Sequence, residues 1–385
     1  MMQRCGIWIV AVVGLVSMWV RGDVATVPPD AGISDRAKTA LNEANFSAEI
    51  AQKISDEVNK LVQNPSDKGT VAMVRQWLNS EDPPTATHPY QEAFSQALNQ
   101  SFLNVLEQSN PPVNTKINFG LVIKDLNGPK MNLAPTAQKL LADKCQAVVF
   151  VGEQAVWAIL PEALQNPNFK PVVRDGLLSA VIGGVKANSG PPLGGLIAEW
   201  AYRAINPKLW AGGTMPQGDN LSALVDCNLN LQKSRLDIYQ NIGIPEFPKA
   251  DTYASYLLLS GDVWGKMSNA QQLEAVQWAV NLVSLIGQRA AVPGQSTDQT
   301  RELTDALISE GSWLKVLAGI LADPQMQAAC DQIVNMQVGI TPAAIKTACE
   351  AVVSQVLQNP AFSSLTPPPT IGSNPSSMPA TEASK

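Results

Sequence analysis

Apolar residues recur every three to four positions along most of this chain, and short runs of Pro, Gly, Asn and Ser interrupt them. That period predicts amphipathic helices, and the interruptions mark their ends. Over residues 34–62 the apolar stripe is Ile50, Ile54, Val58 and Val62, and Ser34 and Asp35 suit its start. Residues 67–80 predict a second helix, and the Pro-rich 81–89 ends it. Beyond a loop at 206–220, the same period predicts helices over 221–241, 250–264, 269–291, 296–323, 324–337 and 342–358. Asn269, Ser296 and Thr341 suit N-caps, Pro342 a first helical position, and Gly265 and Gly339 helix ends.

The stretch from Pro89 to Ile205 is repetitive. It predicts three helical hairpins: 90–108 with 113–126, 134–144 with 146–160, and 171–187 with 193–205. The second helices superpose: Ile117, Val151 and Ile197 coincide, as do Leu121, Ala155 and Ala201. Glu153 then matches Glu199. Self-similarity at spacings of this size points to a helical solenoid, in which stacking buries faces that one hairpin leaves open.

The segment "LLADKCQAVVFVGEQAVWAILPEAL" resembles a HEAT-type repeat. A first helix ends in Leu140-Leu141, an Asp143-Lys144 turn follows, and the second helix carries Ala-Val pairs. The resemblance covers about residues 89–205. Its departures are Cys145 after the turn, the missing basic residue of the second helix, and the "SGPP" before the third unit's second helix. HEAT-like arrays act as binding scaffolds, and the resemblance implies that role here.

The first residues change the picture of where the protein works. Arg4 precedes an uncharged apolar run from Cys5 to Val20, and Val20-Arg21-Gly22 places small residues at −3 and −1 before Asp23. This is the layout of a secretory signal, too short for a spanning helix. It predicts a secreted or periplasmic protein, with an uncleaved membrane anchor as the alternative. Cleavage removes two basic residues, Arg4 and Arg21, and no acidic one, so the formal charge moves from −6 to −8. That balance argues against nucleic acid and anionic lipid as partners. The 45% hydrophobic content supports a sizeable core, and the 6% aromatic content with abundant Ala, Leu and Gln suits packed helices.

Four cysteines follow the signal: Cys145, Cys227, Cys330 and Cys349. In an exported chain they allow two disulfides with three connectivities. Cys330 and Cys349 sit at equal distances from a Gly339-Ile340 turn, so equal rise along both arms brings them to one height. A Cys330–Cys349 disulfide is expected; whether Cys145 and Cys227 pair is open.

Candidate chemistry is sparse. His88 is the single histidine, so no two-histidine motif exists, and no CxxC pair supports a zinc site. The Gly-rich 181–195 lacks the Lys-hydroxyl end of a phosphate loop. No catalytic, cofactor or metal residue is assigned. Glu153 and Glu199 read as a repeated solvated face, with Glu199 and Arg203 at ion-pair spacing. Trp210, in a Gly-flanked loop, is the one tryptophan after the signal outside a predicted helix and is an expected exposed contact.

The expected organisation is a signal peptide (1–22), N-terminal helices and linker (23–88), HEAT-like repeats (89–205), a loop (206–220), a C-terminal helical region (221–362) and a disordered tail (363–385). The fold class is all-α: stacked helical hairpins of a HEAT-like α-solenoid, then a further helical region. The expected function is non-catalytic protein–protein scaffolding with an unassigned protein partner and oligomeric state. The alternatives are an all-helical secreted enzyme acting on glycans through paired carboxylates, and a self-associating envelope protein.

Overall fold

A computed structural model describes residues 32–371, apart from 41–45, 84, 109 and 110, 211–213, 243–247, 295 and 337–339. The signal segment, Gly339 and residues 372–385 lie outside these. The described chain is all-helical, with no strand. Its α-helices are α1 (Asp35–Lys38), α2 (Ser47–Gln63), α3 (Lys68–Glu81), α4 (His88–Leu106), α5 (Val113–Asp125), α6 (Ala134–Leu141), α7 (Gln146–Ala163) and α8 (Pro171–Ala187). They continue with α9 (Gly194–Ile205), α10 (Gly218–Ile242), α11 (Pro248–Leu258), α12 (Gly261–Trp264), α13 (Asn269–Ala290), α14 (Thr297–Ile320), α15 (Pro324–Val334) and α16 (Pro342–Gln358).

Local chemistry sets these ends. The Asp67 carboxylate accepts the Thr70 N–H and starts α3; Thr341 accepts from Ala344 and starts α16, with Pro342 next. Ser296 caps α14 with a reciprocal bond to Gln299, and Gly265 ends α12. At α13 the cap is Ser268, one residue before the expected Asn269; Gln271 returns its bond. The long helix expected over 34–62 is divided. Ser34 caps only the four residues of α1, and α2 begins at Ser47. In α2 the buried stripe is Ile50, Ile54, Val58 and Leu61.

The chain forms two compact units, 1–188 and 189–385. The division falls between α8 and α9, inside the third expected hairpin, whereas the loop at 206–220 belongs to the second unit. There Asn206 donates to the Tyr253 carbonyl at 2.8 Å and caps the 3-10 turn Pro207–Leu209.

In the first unit α2 packs on α4, α4 on α6, and α6 on α8, while α3 packs on α5 and α5 on α7. The expected α6–α7 hairpin is formed. Its turn is held by Asp143, whose Oδ1 accepts the Cys145 N–H at 2.8 Å and whose Oδ2 takes Lys116 at 2.7 Å. The expected pairing of α4 with α5 is not the main contact of either helix; α4 packs chiefly on α2 and α5 on α7. In the second unit α9 packs on α11 and α11 on α14, while α10 packs on α13 and α13 on α16.

Glycines permit the closest approaches. A Cβ on Gly120 of α5 would lie 2.7 Å from Val151 of α7, and one on Gly311 of α14 would lie 2.7 Å from Ile333 of α15. On α13, a Cβ at Gly287 would lie 2.7 Å from the Cys349 Cβ and 2.8 Å from its sulfur. Such overlap pushes α13 and α16 apart, at a cost of about 1–3 kcal/mol. Gly287→Ala is therefore expected to lower denaturant stability by about that amount, and Cys349→Ala to recover only the share due to the sulfur, because the Cβ at 349 remains in the overlap. A loss unchanged in the double variant would place its cause elsewhere.

Candidate functional site

The described face that visibly holds an extended segment is on α13. Most of this helix is core, with Ala275, Val276, Ala279, Val280, Leu282, Val283, Leu285 and Ile286 buried. One polar stripe interrupts it: Gln277, Asn281, Ser284 and Gln288, spaced four, three and four apart, hence on one side of a 3.6-residue helix. Thr366–Ile371, "TPPPTI", lies along this stripe. The Gln277 amide nitrogen donates to the Thr366 carbonyl at 2.9 Å, and its Oε1 accepts the Thr366 N–H at 2.7 Å and hydroxyl at 3.1 Å. Eleven residues on, the Gln288 amide nitrogen donates to the Pro369 carbonyl at 3.0 Å, and its Oε1 accepts the Ile371 N–H at 2.9 Å.

Each glutamine is also oriented from within α13. Gln277 donates to Asn281 Oδ1 at 3.0 Å and Gln288 to Ser284 Oγ at 3.0 Å. The tail reaches the stripe from a fixed point: the 3-10 turn Pro360–Phe362 buries Phe362, and Asn359 donates to Asp323 at 2.6 Å. Over 363–371 the tail has no helix or strand, yet Thr366–Ile371 is bound to α13 by its backbone.

The titratable groups of interest are sealed in the cores. In the second unit Arg235 of α10 and Asp251 of α11 form a bidentate pair at 2.7 and 2.8 Å, both side chains 0% exposed. Ser255 of α11 donates to Glu310 of α14 at 2.6 Å. Asp251 takes the guanidinium, and among the described residues no ion pair reaches Glu310. Burial holds its carboxyl up at about 8; the Ser255 bond works against this, and repulsion from Asp251 adds to it. Burial, then the Asp251 charge, likewise raises the Tyr202 hydroxyl.

In the first unit Glu153 of α7 is also 0% exposed, and neither of its carboxylate oxygens has a hydrogen-bond partner among the described residues. Burial alone raises its pKa well above the ordinary range. Asp82, which accepts the Gly128 N–H at 2.7 Å, is raised to about 6, mainly by burial.

Several expected residues are placed differently. Glu153 is not on a solvated face, because α5, α6 and α8 all pack on α7. Its counterpart Glu199 is half-exposed and makes the expected ion pair with Arg203, at 2.8 Å. Trp210 is not an exposed contact. It is 5% exposed and its indole N–H donates to the Ala204 carbonyl at 2.9 Å, which draws the loop onto α9. Cys330 and Cys349 are buried free thiols, not a disulfide. Cys349 lies against Gly287 of α13, where the missing Cβ leaves room for it. Burial pushes both thiols up to about 12, which keeps them protonated and unreactive. Cys145 and Cys227 are buried too, and no disulfide joins the four. His88 is exposed at the start of α4, 3.9 Å from Glu92. Among the described residues no helix is long and apolar enough to cross a membrane, and no group of His, Cys, Asp or Glu has the arrangement of a metal site.

The α13 stripe had a signal in the sequence: polar residues at helical spacing in an otherwise apolar helix, and a proline run downstream. Nothing in the sequence paired the two. No protein-family model, no curated protein and no solved structure matches this chain.

Proposed function

We propose that this chain is an exported, non-catalytic helical-repeat scaffold that binds other proteins. The observation that carries the reading is the alternation of the helices. In the first unit helices two apart in sequence pack on one another, α2–α4–α6–α8 against α3–α5–α7. In the second the rows are α9–α11–α14 and α10–α13–α16, where all steps but α9–α11 are three apart and the neighbours α14 and α15 also pack closely. That order supports an α-solenoid of HEAT-like type, which presents faces longer than one domain edge to a partner. Secretion or passage to the periplasm follows from the signal layout, with a mature chain starting at Asp23 and a net charge of −8 that disfavours nucleic acid and anionic lipid.

Two measurements test this. N-terminal sequencing of the protein recovered from its host is expected to begin at Asp23; a retained Met1 would make the segment an anchor. Cross-linking in the intact host, mapped by mass spectrometry, is expected to link a second protein to residues along one row of helices. Links only between copies of this chain would favour the self-associating alternative.

A further inference from the structure

We propose that the Gln277–Gln288 face of α13 is a docking groove for an extended, proline-rich segment of a partner protein, and that Thr366–Ile371 is its resident occupant, displaced when the partner binds. The inference rests on the scaffold reading and gives it a partner chemistry.

The geometry fits a polyproline II segment. Gln277 and Gln288 are eleven residues apart, about 16 Å along the helix at ~1.5 Å per residue. Their outermost partners, Thr366 and Ile371, are five residues apart. Five residues of polyproline II rise about 15 Å, at ~3.1 Å each. The two repeats match only if the segment is fully extended, which "TPPPTI" favours before it binds, so little chain entropy is lost.

What is read is backbone. Each glutamine takes one carbonyl and one N–H of the tail, and these are the groups that a polyproline II chain leaves free. Both N–H groups flank the prolines, at Thr366 and Ile371. The bonds to Asn281 and Ser284 hold the amides in the receiving orientation. The groove therefore selects a conformation and an X-Pro-Pro-Pro-X-X spacing rather than particular side chains. Thr366, Pro367 and Thr370 are exposed, so the occupant can be peeled off from its outer side.

The test is peptide binding to the full chain. The probe is a fluorescein-labelled peptide of sequence SSLTPPPTI, residues 363–371. Thr366→Pro with Ile371→Pro removes from the resident tail the two N–H groups that the glutamines accept, and leaves the helical body unchanged. This released chain is expected to bind the probe at least about tenfold more tightly than the wild-type chain, in which the tail competes. Adding Gln277→Ala and Gln288→Ala is expected to weaken probe binding by about tenfold or more. Both glutamines are only half-buried, and circular dichroism confirms the folded state. Gln277→Glu with Gln288→Glu, which keep the acceptor and lose the donor, provide a second pair. A probe with its three prolines replaced by glycine is expected to bind more weakly again.

Equal binding by released and wild-type chains, or binding indifferent to both glutamine pairs, overturns the proposal. So does a wild-type chain that forms a dimer by exchanging tails and is not dissociated by the probe, because the groove then serves a second copy. If the probe fails while cross-linking in the host still finds a partner, the groove falls and the scaffold stands. Loss of both would remove the scaffold reading as well.

Discussion

Arg235→Met is expected to destabilise the protein by about 3–5 kcal/mol, because it removes the buried cation that balances the Asp251 carboxylate where water cannot reach it. The pair is bidentate and wholly buried, and it joins α10 to α11. In a unit of this size the change corresponds to a melting-temperature drop of about 10 °C. Asp251→Leu alone is expected to cost a similar amount, since it strands the guanidinium. The double variant Arg235→Met/Asp251→Leu is expected to recover most of the loss, because an apolar pair of comparable volume has no charge to desolvate. Thermal or urea unfolding of the four proteins gives the coupling. A single variant within about 0.5 kcal/mol of wild type, or a double variant no better than the worse single, would show that the pair is not sealed as described.

The second large effect is on pH dependence. Glu310 and Glu153 are both held protonated by burial, with Glu310 titrating at about 8 against an ordinary 4.5. A carboxyl whose folded pKa is raised binds its proton more tightly in the folded state. Its contribution is complete below about pH 4.5 and is lost progressively as pH rises to about 8. Asp82, raised to about 6, acts in the same direction over a lower window. The protein is therefore expected to melt at lower temperature at pH 8.5 than at pH 5, with Glu310 accounting for on the order of 5 kcal/mol. Glu310→Gln keeps the acceptor for Ser255 and cannot ionise. Together with Glu153→Gln it is expected to flatten the profile between pH 5 and 8.5. A melting temperature that does not fall over this range, or a slope unchanged in the double variant, would contradict the assignment.

Much of the helical architecture was legible because its signals are local. Ser34, Ser296 and Thr341 cap their helices through a side chain reaching three residues onward, and no tertiary contact is needed for that. Apolar periodicity located most of the core face of α2 for the same reason, with Leu61 buried in place of the expected Val62. The misplaced residues share the opposite character. Glu153 and Glu199 coincide in the repeat alignment, yet one is sealed and the other half-exposed. The alignment gives a position on a helix, whereas burial depends on how many neighbours cover that helix. The expected equal heights of Cys330 and Cys349 rested on helical rise alone. Where the Cys349 sulfur went depended on a vacant volume at Gly287, more than sixty residues away.

By itself, then, the sequence determined an all-helical chain, several of its helix ends, its acidic charge and the layout of an export signal. Each depends on a residue and its near neighbours. Only the tertiary structure decided where the two units divide, which carboxyls lost their charge, that Trp210 folds inward and that the proline run lies on α13. Those outcomes rest on contacts between segments up to about ninety residues apart, and they turn on shape and desolvation, which a helical period does not encode.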